Sequence, residues 1–402
     1  MKQSLEEIIS LAGQCRCGHC HDDIPIERMV VGRDAFEQLA AYLRQKQYRK
    51  AALVADERTL AAAGQSLCDK LENESIRYTV CLVQPDENGD VIADERSIVQ
   101  VLLETPNDAD VMIAVGAGTI HDITRFSSYK MKIPFISVPT APSVDGFTSM
   151  GAPLIVLGVK KTIQAQAPVA VFTHTDVLCQ APKAMVAAGF GDMVAKYTSL
   201  ADWQFAHWMA DEPHCPLVHQ LTEQALKACV DHIEDIAAGG ERGIRVLMDA
   251  LLQSGIAMLL IGQSYSASGA EHHLSHYWEM EFLRQNKRQV LHGAKVGMST
   301  PMVIERYQQV LLPLLDELEK RPEPMDEAVW RRFKENAAVI RAQLESLQSP
   351  ERVRAMMEKV GGAVAPEQLG IDPPLVERSW REAHHLRPNR FTMLHFLNEF
   401  VL

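Results

Sequence analysis

Apolar runs without alternation recur through the first half of the chain: Glu27–Val31, Lys50–Asp56 (KAALVAD), Tyr78–Val83, Asp110–Val115 (DVMIAV) and Pro134–Pro139 (PFISVP). Helical patterns separate them at Ala35–Gln45, Arg58–Glu74 and Ile92–Glu104. Uninterrupted apolar strands alternating with helices predict a parallel sheet covered on both faces. Such a sheet takes its ligands beyond the carboxyl ends of the strands. From about Gly189 the strand-like runs stop. Helical periodicity then fills Asp192–Met209, Leu217–Ala238, Ile244–Ile261, Glu271–Arg284 and Ala294–Leu312, with Pro313 expected to end the last. Ala328–Ser346, Pro350–Val360 and Leu375–Leu386 continue the series. The expectation is an α/β N-terminal domain with a parallel, Rossmann-like sheet (1–188) and an all-α C-terminal domain (189–402). The active site would lie in the cleft between them, lined by the Gly-, Pro- and small-residue-rich stretch Ala141–Val186.

A length of 402 residues fits two cores better than one. The 40 basic and 52 acidic side chains leave a net charge of −12, which argues against coating nucleic acid or an anionic membrane and for small-molecule chemistry. The start, MKQSLEEIISLAG, reads as an amphipathic helix carrying Glu6 and Glu7, not as a secretory signal. The longest apolar stretch, Ala250–Gly262, is interrupted by Gln253 and Ser254 and reads as a buried helix. Eight mostly scattered cysteines fit reduced thiols, and the expected location is the cytoplasm. Cys15-Arg-Cys17-Gly-His-Cys20-His21 carries zinc-type donors, but no second cysteine pair follows nearby in sequence. A turn around Gly18 is therefore favoured over a metal knuckle.

Several segments carry chemistry. Val115-Gly-Ala-Gly-Thr-Ile-His-Asp122 joins a predicted strand to a helix, where small residues let backbone N–H groups approach a pyrophosphate. His121 stands where a dinucleotide fingerprint has its third glycine. Asp56, ending its strand, suits the ribose hydroxyls of NAD and equally suits a helix N-cap. The loop Pro139–Ser149 is dense in hydroxyls and holds one carboxylate, Asp145, followed by a turn-forming Gly146. Asp192, in GFGDMVAK, is expected at a helix start, where capping alone explains it. Glu271-His-His-Leu-Ser-His276 places His272 and His276 on one helix face, and His292 opens another helix. One carboxylate with two imidazoles leaves coordination positions open for substrate, as a catalytic ion requires.

Taken in order, GAGTIHD, PTAPSVDGFTSM, GFGDMVAKYTSLADW, SGAEHHLSHYWE and LHGAKVGM resemble the sn-glycerol-1-phosphate dehydrogenases, in particular their bacterial branch. These belong to the iron-containing alcohol dehydrogenase and dehydroquinate synthase-like superfamily. The likeness runs from about Ile26 to about Tyr307; the last ninety or so residues hold no usable motif. It implies cofactor contacts from Asp56, Gly116, Ala117, Gly118, Thr119, Ile120, Thr140, Ala141, Pro142, Ser143 and Ser149. It implies substrate contacts from Asp145, Asp192 and His276, with His276 and Asp145 catalytic, and one divalent ion, nickel or zinc, on Asp192, His272 and His292. The implied reaction is reversible reduction of dihydroxyacetone phosphate by NADH or NADPH to sn-glycerol 1-phosphate, by a homodimer with no nucleic-acid or membrane partner. GAG replaces the GGG common in relatives. Lys160, Lys161, Arg284 and Lys295 are available for the phosphate, and the sequence does not choose among them. The rival readings are a glycerol or polyol dehydrogenase of the same superfamily, a dehydroquinate synthase, and a non-enzymatic NAD- and metal-binding sensor.

Overall fold

The structure, a computed structural model, describes residues 4–18, 21, 24–318 and 327–402. Six strands form one parallel sheet: β1 (Arg28–Gly32), β2 (Lys50–Ala55), β3 (Arg77–Leu82), β4 (Val111–Gly116), β5 (Phe135–Pro139) and β8 (Ala170–His174). Their order across the sheet is β1-β8-β5-β4-β2-β3, and every pairing is parallel. The central strands read as continuous apolar runs because both faces are covered. Ala51, Leu53, Val111 and Ile113 pack into one cluster, and Ala52, Val54, Met112 and Ala114 into the opposite one. From β2 the chain passes to β3 on one side and then to β4 on the other. The carboxyl ends of β2 and β4 therefore flank the switch point, where a crevice opens.

Two elements lie inside the stretch read only as cleft lining. β6 (Gly151–Val156) and β7 (Val159–Gln164) form an antiparallel hairpin, and β8 follows it. The hairpin turns through Leu157 and Gly158, both at positive φ (52° and 72°). A leucine in that conformation is uncommon, so the usual Asn-Gly turn signal is missing.

Beyond β8 the described chain is helical. The boundary expected at 188/189 falls within helix Lys183–Val194, which begins after Pro182. Asp192 is correspondingly not a cap: it sits in the last turn of that helix, 1% exposed, where capping cannot account for it. The span expected as one helix from Asp192 is two, Lys183–Val194 and Lys196–Ala210. Pro313 does not end its helix, which runs His292–Asp316 through both Pro301 and Pro313. Leu311, Leu314 and Leu315 keep one face buried across the proline, and that packing outweighs the lost hydrogen bond. Helix Glu241–Ile261 is long and apolar enough to cross a membrane by length and composition, and 72% of its most apolar window is buried in the fold.

Candidate active site

The cleft at the switch point holds about 660 Å³. One wall is the end of β4. A Cβ on Gly116 would lie 2.7 Å from the Ile120 side chain, so the tight exit from the strand requires glycine. Helix Gly118–Met131 then starts at Ala117 with no side-chain cap, leaving the first N–H groups and the helix dipole facing the cleft. His121 is turned inward. Its Nδ1 meets the Ala117 carbonyl at 2.9 Å and its Nε2 the Ser137 hydroxyl at 2.8 Å, and burial pushes it down to about 3. Asp56 caps the helical stretch 57–73 by accepting the Thr59 N–H (2.8 Å) and also lines the cleft, where a ribose contact would require it.

Of the residues expected at the cofactor, Asp56, Ala117, Gly118, Thr119, Ile120, Ser143 and Ser149 line this cleft. Gly116, Thr140, Ala141 and Pro142 are not on that lining. The Thr140 N–H donates to the Gly116 carbonyl (3.1 Å), and the Pro142 carbonyl is pressed against Gly189. Arg125 holds the loop in place by donating to the Gly146 and Gly151 carbonyls (2.5 and 3.0 Å) while pairing with Asp122 (2.7 Å).

The facing wall is helical and gathers Asp192, His272 and His292, whose donor atoms lie within 4.8 Å of one another. His272 Nε2 is 3.8 Å from Asp192 Oδ1, and its Nδ1 is 2.7 Å from Glu271 Oε1. Glu271 is itself held by the Thr198 hydroxyl (2.6 Å) and the Gly269 N–H (2.7 Å). A carboxylate behind one imidazole nitrogen fixes the tautomer and turns the other nitrogen's lone pair outward, the usual support of a metal-bound histidine. Burial keeps His272 and His292 well below the ordinary histidine value, so both are neutral and able to coordinate. His292 Nδ1 is buried with no hydrogen-bond partner. An acid, two neutral imidazoles and an unpartnered ring nitrogen fit a divalent transition ion. His276, Glu279 and His292 form a second such group, sharing His292.

Lys196 closes the GFGDMVAK motif, and its type and position alone assign it no role. The structure buries it between the carboxylates of Asp145 (2.8 Å) and Asp192 (3.4 Å). Burial pulls its ammonium down, but the two acids outweigh that and hold it above its ordinary value. Asp192 is raised to about 6 by burial and then by Asp145, against Lys196, while its Oδ2 accepts the Asp145 N–H (2.9 Å). Asp145 Oδ2 also accepts from Ser254 (2.8 Å).

Deeper along the same wall, Glu279 pairs with Lys160 from the hairpin (2.8 Å) and with Lys295 (3.3 Å). Arg387 donates to Ser268 (3.0 Å) and approaches His276 Nε2 (3.4 Å). Lys160, Lys295 and Arg387 all line the cleft. Lys161 and Arg284 do not: the first is exposed on the hairpin, and the second is solvent-facing beside Glu281. Glu271 and Glu279 flank the histidine motif and were legible in principle. Arg387 lies in a C-terminal stretch without any motif.

A six-stranded parallel sheet bearing a dinucleotide-type turn, facing an acid-and-imidazole cluster on helices, defines the iron-containing alcohol dehydrogenase class. That family matches residues 30–182. Solved structures agree on the fold: an alcohol dehydrogenase from Oenococcus oeni superposes with a TM-score of 0.67 at 18% identity, covering 92% of this chain and 94% of that one. Sulfoacetaldehyde reductase from Bifidobacterium kashiwanohense, solved with NAD+, gives 0.66 at 14% identity, covering 95% and 99%. Within the class, the glycerol-1-phosphate dehydrogenase [NAD(P)+] of Geobacillus stearothermophilus is 80% identical over 401 residues, covering 100% of this chain and 99% of the relative. That of Pyrococcus horikoshii is 34% identical, covering 70% and 69%. The chain belongs to the NAD(P)-dependent glycerol-1-phosphate dehydrogenases, as its five motifs imply, and is an oxidoreductase.

Proposed function

We propose that this chain interconverts dihydroxyacetone phosphate and sn-glycerol 1-phosphate with NADH or NADPH, using one divalent ion, nickel or zinc, held by Asp192, His272 and His292. Residues 1–188 would carry the cofactor and 189–402 the ion. The observation that carries the reading is the meeting, across one cleft, of an uncapped helix N-terminus at the sheet's switch point and the cluster of Asp192 with two neutral imidazoles. A homodimer in the cytoplasm is the accompanying expectation, and the seven described cysteines, none in a disulfide, suit a reducing compartment.

When bound, the nicotinamide supplies hydride and the ion supplies positive charge for the oxygen that becomes anionic. The chain's own residues do the rest. The N–H groups of Gly118, Thr119 and Ile120 receive the pyrophosphate, and Asp56 accepts from the ribose hydroxyls. Asp145, fixed by Lys196 and Ser254, presents its carboxylate to a substrate hydroxyl. His276 is neutral, burial holding it at about 3, so it orients the substrate or passes a proton between its two nitrogens and stores none. Lys160, Lys295 and Arg387 supply the phosphate donors that the reaction requires. The test is NADH oxidation with dihydroxyacetone phosphate and with unphosphorylated dihydroxyacetone, followed by chiral analysis of the product. Turnover confined to the unphosphorylated ketone would replace this reading with the polyol dehydrogenase one.

A further inference from the structure

The cysteine-rich turn near the N-terminus acquires a partner that its sequence neighbourhood does not show. Helix Leu5–Gln14 ends at Cys15, whose backbone is extended, and Gly18 adopts φ 85°. His21 Nε2 lies 3.5 Å from Cys17 Sγ. Two hundred residues on, Cys215 stands immediately before helix Pro216–Asp231. Its Sγ lies 3.7 Å from Cys15 Sγ and 3.7 Å from His21 Nε2. The donor atoms of Cys15, Cys17, His21 and Cys215 all fall within 4.8 Å of one another.

Those distances carry a geometry. With Zn–S near 2.3 Å and Zn–N near 2.0 Å, a tetrahedron has S···S edges of about 3.8 Å and S···N edges of about 3.5 Å. The sulfurs are far beyond the roughly 2.0 Å of a disulfide. His21 Nδ1 meets the Leu260 carbonyl at 3.2 Å. A carbonyl can only accept, so the proton sits on Nδ1 and the Nε2 lone pair points at the sulfurs, the support expected of a bound imidazole. Cys215 occupies the N-cap position of its helix without a side-chain capping hydrogen bond, and burial pushes its thiol up to about 12. Ile8, Trp203, Val218 and Ile256 form an apolar shell around the group. None of the four donors lines the catalytic cleft.

We propose that Cys15, Cys17, His21 and Cys215 form a second metal site: a closed, structural zinc site that fastens the N-terminal segment to the helical half. Four protein donors of this softness, with no position left for substrate, select zinc over the harder divalent ions and give it no part in the reaction. Cys20 lies outside the described residues.

The experiment is elemental analysis of the full-length protein together with cobalt substitution. The wild-type chain is expected to hold two divalent ions and Cys17→Ser one, with ketone reduction retained. Cobalt-loaded wild type and His272→Ala should both show a thiolate-to-cobalt charge-transfer band that Cys17→Ser lacks. Should Cys17→Ser be poorly soluble, the band in His272→Ala alone decides the point, because the catalytic set contains no sulfur. A single ion per wild-type chain, a metal content unchanged in Cys17→Ser, or a cobalt spectrum without a thiolate band would each overturn the site.

Discussion

A Cβ placed on Gly191 would lie 2.2 Å from the carbonyl oxygen of Gly293, and one on Gly293 would lie 1.9 Å from that of Ala188. The helix bearing Asp192 and the helix opened by His292 therefore cross with their backbones in contact, and that contact sets the span between Asp192 and His292. Gly191→Ala is expected to cost about 2 kcal/mol, as overpacking does, and to weaken metal binding along with it. Chemical denaturation and metal content measured on the same preparation check this. Lost stability with full metal affinity would mean the crossing does not define the cluster.

His272→Ala and His276→Ala should separate. The first removes a proposed ligand and should lose ion and turnover together while the fold persists, as expected of a catalytic rather than a structural ion. The second should keep the ion and lose rate. If the His276 variant loses the ion and the His272 variant keeps it, the shared group of His276, Glu279 and His292 is the true set.

Asp56 offers a carboxylate beside the cofactor wall as well as a cap. Asp56→Ser keeps an N-cap acceptor but removes the charge, so stability should change little while NADPH gains on NADH. The ratio of kcat/KM for the two cofactors is the measurement. An unchanged ratio would leave Asp56 as a cap alone.

Arg387→Met should raise KM for dihydroxyacetone phosphate at least tenfold, by removing a half-buried charge-assisted donor, and leave any turnover of dihydroxyacetone nearly unaltered. Equal losses on both ketones would make Arg387 a support for His276, which it approaches at 3.4 Å.

Acid sensitivity follows from the buried histidines. His121 titrates at about 3 in the fold against an ordinary value of 6.5. Between those values the unfolded chain holds a proton that the folded one does not, so stability is full above about 6.5 and falls as pH drops below it. His272, His273, His276 and His292 are shifted in the same direction by burial. In metal-free protein, His121→Gln should flatten the slope of unfolding free energy against pH by one proton, roughly 1.4 kcal/mol per pH unit. The slope is the readout, since the variant also loses the Ser137 contact. An unaltered slope would mean His121 is protonated inside the fold.

Much of the fold was readable because period and burial coincide. KAALVAD and DVMIAV are apolar throughout, and only a strand covered on both faces needs that. The hairpin β6–β7 escaped because Leu157 occupies a turn position where asparagine or glycine would have announced it. The cluster of Asp192, His272 and His292 was expected from residue type, since all three fall in motifs and chemistry restricts ligands to few side chains. Lys196 was harder, since a lysine four residues after an aspartate reads as an ordinary helix pair, and only burial turns it into a bridge. Arg387 and Cys215 could not be read at all. Each reaches its partners across more than a hundred residues, and no local pattern records such a meeting.

The ring around Glu279 also has an electrostatic consequence. Lys160 and Lys295 both pair with Glu279, two ammonium groups against one carboxylate, and Asp122 is matched by Arg125. One positive charge therefore stands unmatched at that spot on the cleft lining. A phosphate monoester brings charge of the opposite sign to it, whereas a neutral ketone of the same carbon skeleton leaves it unanswered.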